Sequence, residues 1–511
     1  MSKIVRIALA VGLLVALALG GIHTYDRLST TEPTYETIPG PSALDTWQPP
    51  EPVESELAAE STVIPECADT LPRKWMVIGW DGAEWELILP MLERGELPNF
   101  AALMAEGTYG DLESFEPSIS PAIWTTVATG VPPSEHGILH FYNQRPRLER
   151  LWNRLKNFGK LERYLFSNAD RRTRAIWNEL SDRGRTVMVV GYHNTFPVEE
   201  VQGLMVSNYL MQDSIGDLMQ MRSGGDGNSP FALSLVYPQE HLERLLAIQE
   251  EVNTGMPEAV RRLANLDDEQ TFKDFIRASR ELPEDGDQRP YFLTRAYVFD
   301  EIAAVAAERF YAEVDPDLFM VHFQGLDWAA HQFLYFHYPE RFADMPWDDA
   351  TRRELDAMLP LYRGTVEAFY RHQDAWLGRF LALRDPSTAV LILSDHGMGP
   401  GPDPDVPGYH DDAPTGMFLA HGPGIRPGQR LADATIYDIL PTLMAGMELP
   451  VAEDLPGKVL EGLFCDAAWQ GSQQSTVASY QSGERYVPAV AKPPELDAAL
   501  VEQLESLGYI K

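Results

Sequence analysis

The chain has 511 residues, 44% of them hydrophobic, and a formal net charge of −35 at pH 7. This length and apolar content suffice for a large buried core and exceed one average domain. The strongly acidic balance excludes nucleic-acid binding through charge, because such a chain repels a polyanion.

The N-terminus carries a targeting pattern. Lys3 and Arg6 precede an apolar run, Ile7–Ile22, which is typical of a signal peptide or of an uncleaved membrane anchor. Positive charges before the run predict that the rest of the chain lies outside the cytoplasm, as a periplasmic, secreted or membrane-anchored protein. We assign residues 1–22 to this segment and the Pro-, Glu-, Thr- and Ser-rich residues 23–71 to a flexible linker. Membrane association would occur through this N-terminus.

The first apolar run after the linker ends in a carboxylate. Trp75–Trp80 is short and continuous, and Asp81 and Gly82 follow it directly. Such a run is typical of a strand buried on both faces of a parallel sheet. Taken alone, an Asp before a Gly is more often a turn or cap residue than a ligand.

Ser120 marks the start of a predicted helix. Pro121 follows it, and Ser at the N-cap with Pro at the first helical position is a favoured helix start. The N-terminus of a helix presents free N–H groups and the positive end of its dipole to an anion. Ser120 is therefore a candidate nucleophile in front of an anion site, although a plain N-cap is the simpler interpretation of this residue alone.

Two further strands deliver polar residues in the second half of the chain. Leu318–Phe323 is followed by Asp327 and His331, four residues apart and so on one face of a helical turn. Ala389–Leu393 is followed by Ser394, Asp395 and His396, and His410 lies in a loop rich in Gly and Asp. Helical patterns alternate with the strands, which predicts an α/β fold with a large, mostly parallel central sheet flanked by helices. Ligands of such sheets bind beyond the carboxyl ends of the strands.

The residue types at these strand ends indicate metal chemistry. Carboxylates and neutral imidazoles suit zinc, with manganese as the alternative, and the lack of Cys ligands argues against a closed structural zinc site. Six ligands suit two divalent ions with three protein ligands each, which leaves positions open for substrate and nucleophile. Two metals about 3.5–4 Å apart can bind the attacking and leaving oxygens of a phosphoryl transfer.

The order of these residues resembles the alkaline phosphatase superfamily, and within it the type I phosphodiesterase/nucleotide pyrophosphatase branch. The stretch from Ser120 through Thr129-Gly130 to His136-Gly137-Ile138 is similar to that branch's nucleophile helix and the segment after it. The resemblance covers roughly residues 73–465. It implies an alkaline phosphatase-like fold with Ser120 as nucleophile, at a position where the branch usually has Thr.

The resemblance also implies how the ligands are divided between two metals. It assigns Asp81, Asp395 and His396 to one metal, completed by Ser120, and it assigns Asp327, His331 and His410 to the other. The sulfatase branch is excluded, because its modified nucleophile lies in a Cys/Ser-x-Pro-x-Arg context that Ser120 lacks.

One position departs from the sequence pattern of this branch. Nucleotide pyrophosphatases carry a phosphate-orienting Asn five residues after the His of the His-Gly-Ile motif, and here that position is Phe141. Asn143 or His140 is the candidate replacement, and we take Asn143 as the candidate substrate-binding residue. The substrate class, nucleotide or not, stays open at this point.

The remaining organisation follows from breaks in the pattern. The catalytic domain is predicted over residues 73–465, with residues of about 206–294 inserted as a cap over the metals. Residues 466–511 form a polar tail with one amphipathic helix, Pro494–Leu507. Cys67 and Cys465 are the only cysteines, and in an oxidising compartment their pairing would link the two ends of the core.

These observations predict an extracytoplasmic, two-metal phosphodiesterase or phosphatase that acts on a small-molecule or lipid phosphoester through a phosphoseryl intermediate. The first alternative is a transferase of the same superfamily, in which an alcohol replaces water and a phosphoalcohol headgroup moves to lipid or glycan. The second alternative, from another class, is a noncatalytic metal-binding periplasmic protein. The intact set of ligands favours an enzyme.

Overall fold

The computed structural model describes residues 37–38, 42–47, 67–143, 164–211, 234–283, 286–410 and 413–481. The predicted N-terminal segment, most of the linker and the predicted tail helix lie outside these residues. Among the described residues, no helix combines the length and the apolar character needed to cross a membrane.

Within the described residues, the fold is built on a mixed sheet of eleven strands. In chain order these are β1 (Thr37–Ile38), β2 (Lys74–Trp80), β3 (Thr108–Phe115), β4 (Val187–Tyr192), β5 (Gly203–Ser207), β6 (Val236–Tyr237), β7 (Leu318–Phe323), β8 (Thr388–Leu393), β9 (Gly416–His421), β10 (Gln429–Arg430) and β11 (Ala434–Thr435). The spatial order is β1-β3-β9-β8-β2-β7-β4-β5-β6, and β10 and β11 pair with β3.

The centre of the sheet is parallel and its margins are antiparallel. Strands β8, β2, β7, β4 and β5 run parallel to one another. The pairs β8–β9, β9–β3, β3–β1 and β5–β6 are antiparallel. The predicted α/β fold with a mostly parallel sheet is confirmed, and the three strands predicted from apolar runs are β2, β7 and β8.

Helices cover the sheet. They are α1 (Trp85–Glu93), α2 (Pro98–Glu106), α3 (Ser120–Thr129), α4 (Pro133–His136), α5 (Ile176–Asp182), α6 (Leu242–Leu263), α7 (Glu269–Ala278), α8 (Arg289–Val314), α9 (Gly325–His337), α10 (Asp349–Tyr362), α11 (Thr365–Leu383), α12 (Ile439–Gly446) and α13 (Asp466–Gly471). In the part of the chain that the structure describes, two-residue strands form three small ladders, at Tyr142–Asn143 with Tyr164–Leu165, Gly399–Pro400 with Gly408–Tyr409, and Val451–Ala452 with Thr476–Val477.

Each face of the sheet has its own hydrophobic core. Alternate residues of a strand point to opposite faces, so Met76 and Ile78 of β2 join a core with α8, α9 and α11, whereas Trp75 and Val77 join one with α3, α5 and α12. Because both faces are covered, the central strands are apolar at nearly every position. Each fully buried large aliphatic side chain, such as Ile78 at 0% exposure, contributes about 1.5–3 kcal/mol to the free energy of unfolding.

The segment predicted as an inserted cap begins as part of the sheet. β6 pairs with β5 at the sheet margin, and α6 and α7 pack against α8. Helix α8 starts at Arg289 and continues to Val314, so it crosses the predicted boundary at residue 294. Residues 212–233 lie outside the described residues, and a cap over the metals stays a prediction.

A disulfide joins the two ends of the core. Cys67, seven residues before β2, is bonded to Cys465, the N-cap residue of α13, with the two Cα atoms 5.8 Å apart. The bond closes a loop with a sequence separation of 398 residues. The pairing that the sequence suggested is present in the structure.

Candidate active site

Strand register brings the first pair of predicted ligands together. β8 and β2 are parallel, with Leu393 opposite Gly79, so Asp81 and Asp395 follow neighbouring strands at the same edge of the sheet. Gly82 has a φ of +73°, and a Cβ added there would come within 3.0 Å of Asp327. A glycine after Asp81 therefore permits both the left-handed turn and the close approach of α9.

The second pair comes from the strand on the other side of β2. β7 pairs in parallel with β2, with Phe323 opposite Trp80. Helix α9 starts two residues after β7 and carries Asp327 and His331 one turn apart, as predicted. Their side chains are buried at the same edge of the sheet as Asp81.

We call Asp81, Ser120, Asp395 and His396 the strand group. The Ser120 hydroxyl donates to Asp81 Oδ1 at 3.3 Å and lies 3.2 Å from His396 Nε2. His396 Nε2 lies 3.5 Å from Asp81 Oδ1 and 3.4 Å from Asp395 Oδ2. Ligands bound at about 2.0–2.2 Å around a tetrahedral ion are about 3.3–3.6 Å from one another, which is the spacing found here.

We call Asp327, His331 and His410 the helix group. Asp327 Oδ1 lies 3.1 Å from His410 Nε2 and 3.5 Å from His331 Nε2. The rings of His396 and His410 have centroids 4.0 Å apart, so the helix group adjoins the strand group. The structure thus brings together all seven residues that the sequence proposed as ligands or nucleophile.

The ligand histidines are oriented by the backbone. The Nδ1 atoms of His331, His396 and His410 lie 2.8, 2.9 and 2.9 Å from the carbonyl oxygens of Gly408, Gly397 and Ser118, respectively. An Nδ1–H that donates to a carbonyl fixes the tautomer and leaves Nε2 with a lone pair. In each case Nε2 faces the carboxylates.

The charges of the cluster fit divalent cations. Burial raises the pKa of Asp395 well above its ordinary value, and the charges of Asp81 and Asp327 raise it further. Burial lowers the pKa of both His331 and His396 to about 4, so these imidazoles are neutral at pH 7. Neutral imidazoles beside mutually repelling buried carboxylates are the donor set that zinc or manganese prefers.

Ser120 lies one position further into its helix than predicted. Ile119 is the N-cap and Ser120 is the first residue of α3, so the prediction of Ser120 as N-cap is wrong by one residue. Its hydroxyl consequently faces Asp81 and His396 and makes no capping bond. The N–H groups of Ala122 and Ile123 donate to the Ile119 carbonyl, and they are therefore not free to receive an anion as expected.

Two buried carboxylates support the loops that carry ligands. Asp300 on α8 accepts hydrogen bonds from the backbone N–H groups of Gln324 and Gly325, at 2.9 and 3.0 Å, and so caps α9. Glu84 accepts from the N–H of Met398 at 2.9 Å, two residues after His396. Burial raises the pKa of Glu84 to about 8.

Sequence reasoning missed two histidines beside Asp81. His322 lies in β7, and His193 directly follows β4. Their Nε2 atoms lie 3.3 and 3.5 Å from Asp81 Oδ2. The available signals were a polar residue inside an apolar strand and a polar residue at a strand end, which is the rule that identified Asp81 itself.

The candidate substrate-binding residue is not placed by the structure. Asn143 belongs to a two-residue strand, but its side chain lies outside what the structure describes. Phe141, which takes the place of the branch's Asn, has its ring centroid 6.4 Å from that of His193. His140 lies against the rings of Phe141 and Tyr142.

Comparison with protein families gives one match that covers more than half of the chain. The family model of type I phosphodiesterase / nucleotide pyrophosphatase matches residues 75–416. These bounds contain every residue of the strand and helix groups. A comparison with curated protein sequences found no match.

The solved structures that match this chain share little sequence identity with it. Murine ectonucleotide pyrophosphatase/phosphodiesterase 5 is 12% identical, with 77% of this chain and 100% of that chain covered and a TM-score of 0.42. Phosphonate monoester hydrolase from Silicibacter pomeroyi is 14% identical, with 76% of each chain covered and a TM-score of 0.37. Phosphonoacetate hydrolase from Sinorhizobium meliloti 1021 is 16% identical, with a TM-score of 0.31, and the match covers 65% of this chain and only 58% of that one.

Proposed function

The chain belongs to the type I phosphodiesterase / nucleotide pyrophosphatase family, and from this premise we propose that it is a metal-dependent phosphoester hydrolase with Ser120 as its nucleophile. The observation that carries the proposal is the spacing of the strand group. Ser120 Oγ and Asp81 Oδ1 lie 3.2–3.5 Å from each other and from His396 Nε2, and Asp395 Oδ2 lies 3.4 Å from that nitrogen, at the end of the central sheet.

We propose that two divalent cations act in the site, zinc in preference to manganese. The strand group would hold one and the helix group the other. When bound, such cations supply Lewis acidity and neutralise charge on a phosphoryl group. Two of the three sets of possible ligands that lie within 4.8 Å of one another support this proposal: Asp81, Asp395 and His396 form one, and Asp327, His396 and His410 form another, which shares His396.

Ser120 performs the first chemical step. Its Oγ attacks phosphorus, the Oγ–P bond forms, and the bond from phosphorus to the leaving alcohol oxygen breaks with its electron pair on that oxygen. The serine loses one proton and the leaving alcohol gains one, and solvent carries the proton between them. The hydrogen bond to Asp81 Oδ1 and the position at the start of α3 hold Oγ toward the cluster.

Water completes the reaction. Its oxygen attacks the phosphoseryl phosphorus, the Oγ–P bond breaks, and Ser120 regains its proton. If an alcohol replaced water in this step, the same residues would give a transferase. Product analysis with an added acceptor alcohol separates the two reactions, since only the transferase yields a new phosphodiester with the acceptor.

Replacing Ser120 tests the proposal. Ser120→Ala should lower turnover of a chromogenic phosphodiester by a factor on the order of 10³ or more, while bound metal persists because other ligands remain. Ser118→Ala is the matched control, since among the described residues the Ser118 hydroxyl bonds only to Glu116, and the Ser118 contact with His410 is made by its backbone carbonyl. Turnover by Ser120→Ala at the level of this control would contradict the mechanism.

We further propose that the protein acts outside the cytoplasm. The Cys67–Cys465 disulfide supports this location, because such bonds persist in oxidising compartments. The apolar run Ile7–Ile22 with basic residues before it also supports it. Protection of the full chain from external protease in intact spheroplasts would contradict the proposal, whereas digestion there is expected.

The substrate is proposed as a small-molecule or lipid phosphoester. A nucleotide substrate would agree with the family description, but Phe141 stands where nucleotide pyrophosphatases orient phosphate with Asn. Comparing hydrolysis of nucleotide diesters with that of glycerophosphodiesters by the full chain decides between these classes.

A further inference from the structure

One loop serves two of the three ligands of the helix group. We call residues 399–410 the ligand loop, and His410 is its last residue. The carbonyl oxygen of Gly408 lies 2.8 Å from His331 Nδ1, so the loop orients that imidazole as well. A Cβ added at Gly408 would come within 2.4 Å of the Ala330 carbonyl oxygen, which shows that the loop packs directly on the backbone of α9. The position of the ligand loop therefore sets the geometry of both histidines.

The tip of the ligand loop is held by two side chains from outside it. Arg289, the first residue of α8, donates from Nη2 to the Pro404 carbonyl oxygen at 2.9 Å. Trp347 donates from Nε1 to the Pro402 carbonyl oxygen at 2.6 Å, at the surface. Of these two bonds, the one from Arg289 is charge-assisted and comes from a buried residue, which makes it the stronger.

The guanidinium of Arg289 is itself fixed on its other sides. The residue is only 4% exposed, and its Nη1 donates to Asp287 Oδ1 at 2.9 Å. Asp287 Oδ2 in turn accepts from the Tyr362 hydroxyl of α10 at 3.2 Å. The Arg289 Cζ lies 5.3 Å from the ring centroid of Phe336 on α9, within the range of a cation–π contact. These contacts give the ligand loop a rigid donor.

The positive charge of Arg289 also suits the ligand loop. Asp403 and Asp405 flank Pro404, whose carbonyl oxygen accepts the hydrogen bond from Arg289. Burial and the charge of Asp403 raise the pKa of Asp405, and the charge of Arg289 opposes that rise. A neutral side chain at position 289 would leave the two acidic residues without this compensation. Its effect would therefore be a displaced loop tip as well as one lost bond.

We propose that Arg289 is a positioning residue for the helix group and acts through the ligand loop on His410 and His331. This role presupposes the proposed function, because it needs a cation that the helix group binds. The hydrogen bonds of the Arg289 side chain go to Asp287, Met358 and Pro404, none of them a ligand. Arg289 lies within the segment of about 206–294 that the sequence predicted as a cap, and that segment would thereby contribute to the metal site.

Zinc affinity tests this role in the full chain. Arg289→Met removes the charge and the N–H donors but keeps a long side chain, whereas Arg289→Lys keeps the charge and a donor. Competition with a chromogenic chelator should show one of two bound zinc ions weakened about 100-fold in Arg289→Met and about tenfold in Arg289→Lys, which is the range typical of outer supports of metal ligands. His331→Ala identifies the ion of the helix group, since it removes a ligand of that group. The weakened ion should be the same one.

Arg171→Met is the matched control. Arg171 is also buried, pairs with the carboxylate of Glu199 and lies 5.3 Å from the ring centroid of Trp177. Trp177 belongs to the core on the face of the sheet opposite α9. Both methionine variants should lose thermal stability, because each leaves a buried carboxylate without its partner. Arg171→Met should nevertheless bind both zinc ions with the affinity of the wild-type chain.

The affinities separate failure of this inference from failure of the proposed function. Two zinc ions bound with wild-type affinity in both Arg289 variants would overturn the inference and leave the hydrolase intact. An equal loss at both ions, or the same loss in Arg171→Met, would overturn it too, because Arg289 would then support the fold as a whole. Fewer than two zinc ions in the wild-type chain would contradict the proposed function and the inference with it. If Arg289→Met does not unfold cooperatively, Arg289→Lys decides by the same criteria.

Discussion

The strand group and the helix group differ in what holds them. Asp81 and Asp395 follow adjacent parallel strands whose register is fixed by backbone hydrogen bonds, and Gly82 N–H also donates to Asp395 Oδ1 at 3.4 Å. Asp327 and His331 sit on a helix that is capped from α8 by Asp300. The nucleophile therefore belongs to the strand group, whose position is fixed by the sheet. The position of the helix group depends on an N-terminal cap that another helix supplies.

Within this comparison, the largest expected effect comes from weakening that cap. Asp300→Asn replaces Oδ2, which accepts from Gly325 N–H and from the Gln373 side-chain amide, by an NH2 group that faces these two donors. Supports of this kind typically affect metal affinity or activity about 10–100-fold. We expect a loss of this size in zinc affinity of the weaker-binding site, measured by competition with a chromogenic chelator.

Asp374→Asn is the matched control for this change. Asp374 is also buried and accepts from the backbone N–H groups of Asn99 and Phe100, in helix α2. It caps a helix without ligands. Both variants should lose thermal stability, but only Asp300→Asn should lose zinc affinity. Equal zinc affinity in the two variants would show that the cap acts on stability alone.

A smaller effect, on thermal stability, is expected in the loop after His396, where Glu84 accepts a hydrogen bond from Met398 N–H. The folded-state pKa of Glu84 is raised to about 8 from an ordinary 4.5, because the carboxyl is buried. The folded protein therefore binds more protons than the unfolded chain between these values, and this group's contribution to stability falls as the pH rises from about 4.5 to 8.

Glu84→Gln removes that titration while it keeps an acceptor for Met398 N–H. We expect the melting temperature of the wild-type chain to fall more between pH 5 and pH 8 than that of the variant, with both measured in chelator so that metal binding adds no pH dependence. Parallel curves for the two proteins would contradict the assignment.

The difference between residues fixed by the sheet and residues placed by other contacts also explains which site residues could be predicted from the sequence. The runs at 75–80, 318–323 and 389–393 predict strands because burial on both faces requires continuous apolar residues, and the acidic residues after them mark one edge of the sheet. His410 has no such pattern, since it lies in a loop whose position depends on contacts with Ser118 and Asp327. Its assignment needed the family resemblance.

There is also a physical reason why the sequence did not predict His322 and His193 as neighbours of Asp81. His322 and His193 became neighbours of Asp81 only through the lateral order β2-β7-β4. A single sequence gives the strands but not their order, because pairing between strands distant in the chain is set by the packing of the whole sheet. The insertion of antiparallel β9 between β8 and β3 was hidden for the same reason.

The most direct measurement is hydrolysis of a chromogenic phosphodiester and its matching monoester by the full chain, in chelator and after zinc or manganese is restored. We expect hydrolysis to be lost in chelator and to return with metal, and the ratio of diester to monoester hydrolysis then shows which ester is preferred. Hydrolysis that continues unchanged in chelator would contradict the account. Absence of hydrolysis of both esters with two cations bound would contradict it equally, and would favour transfer to an alcohol acceptor.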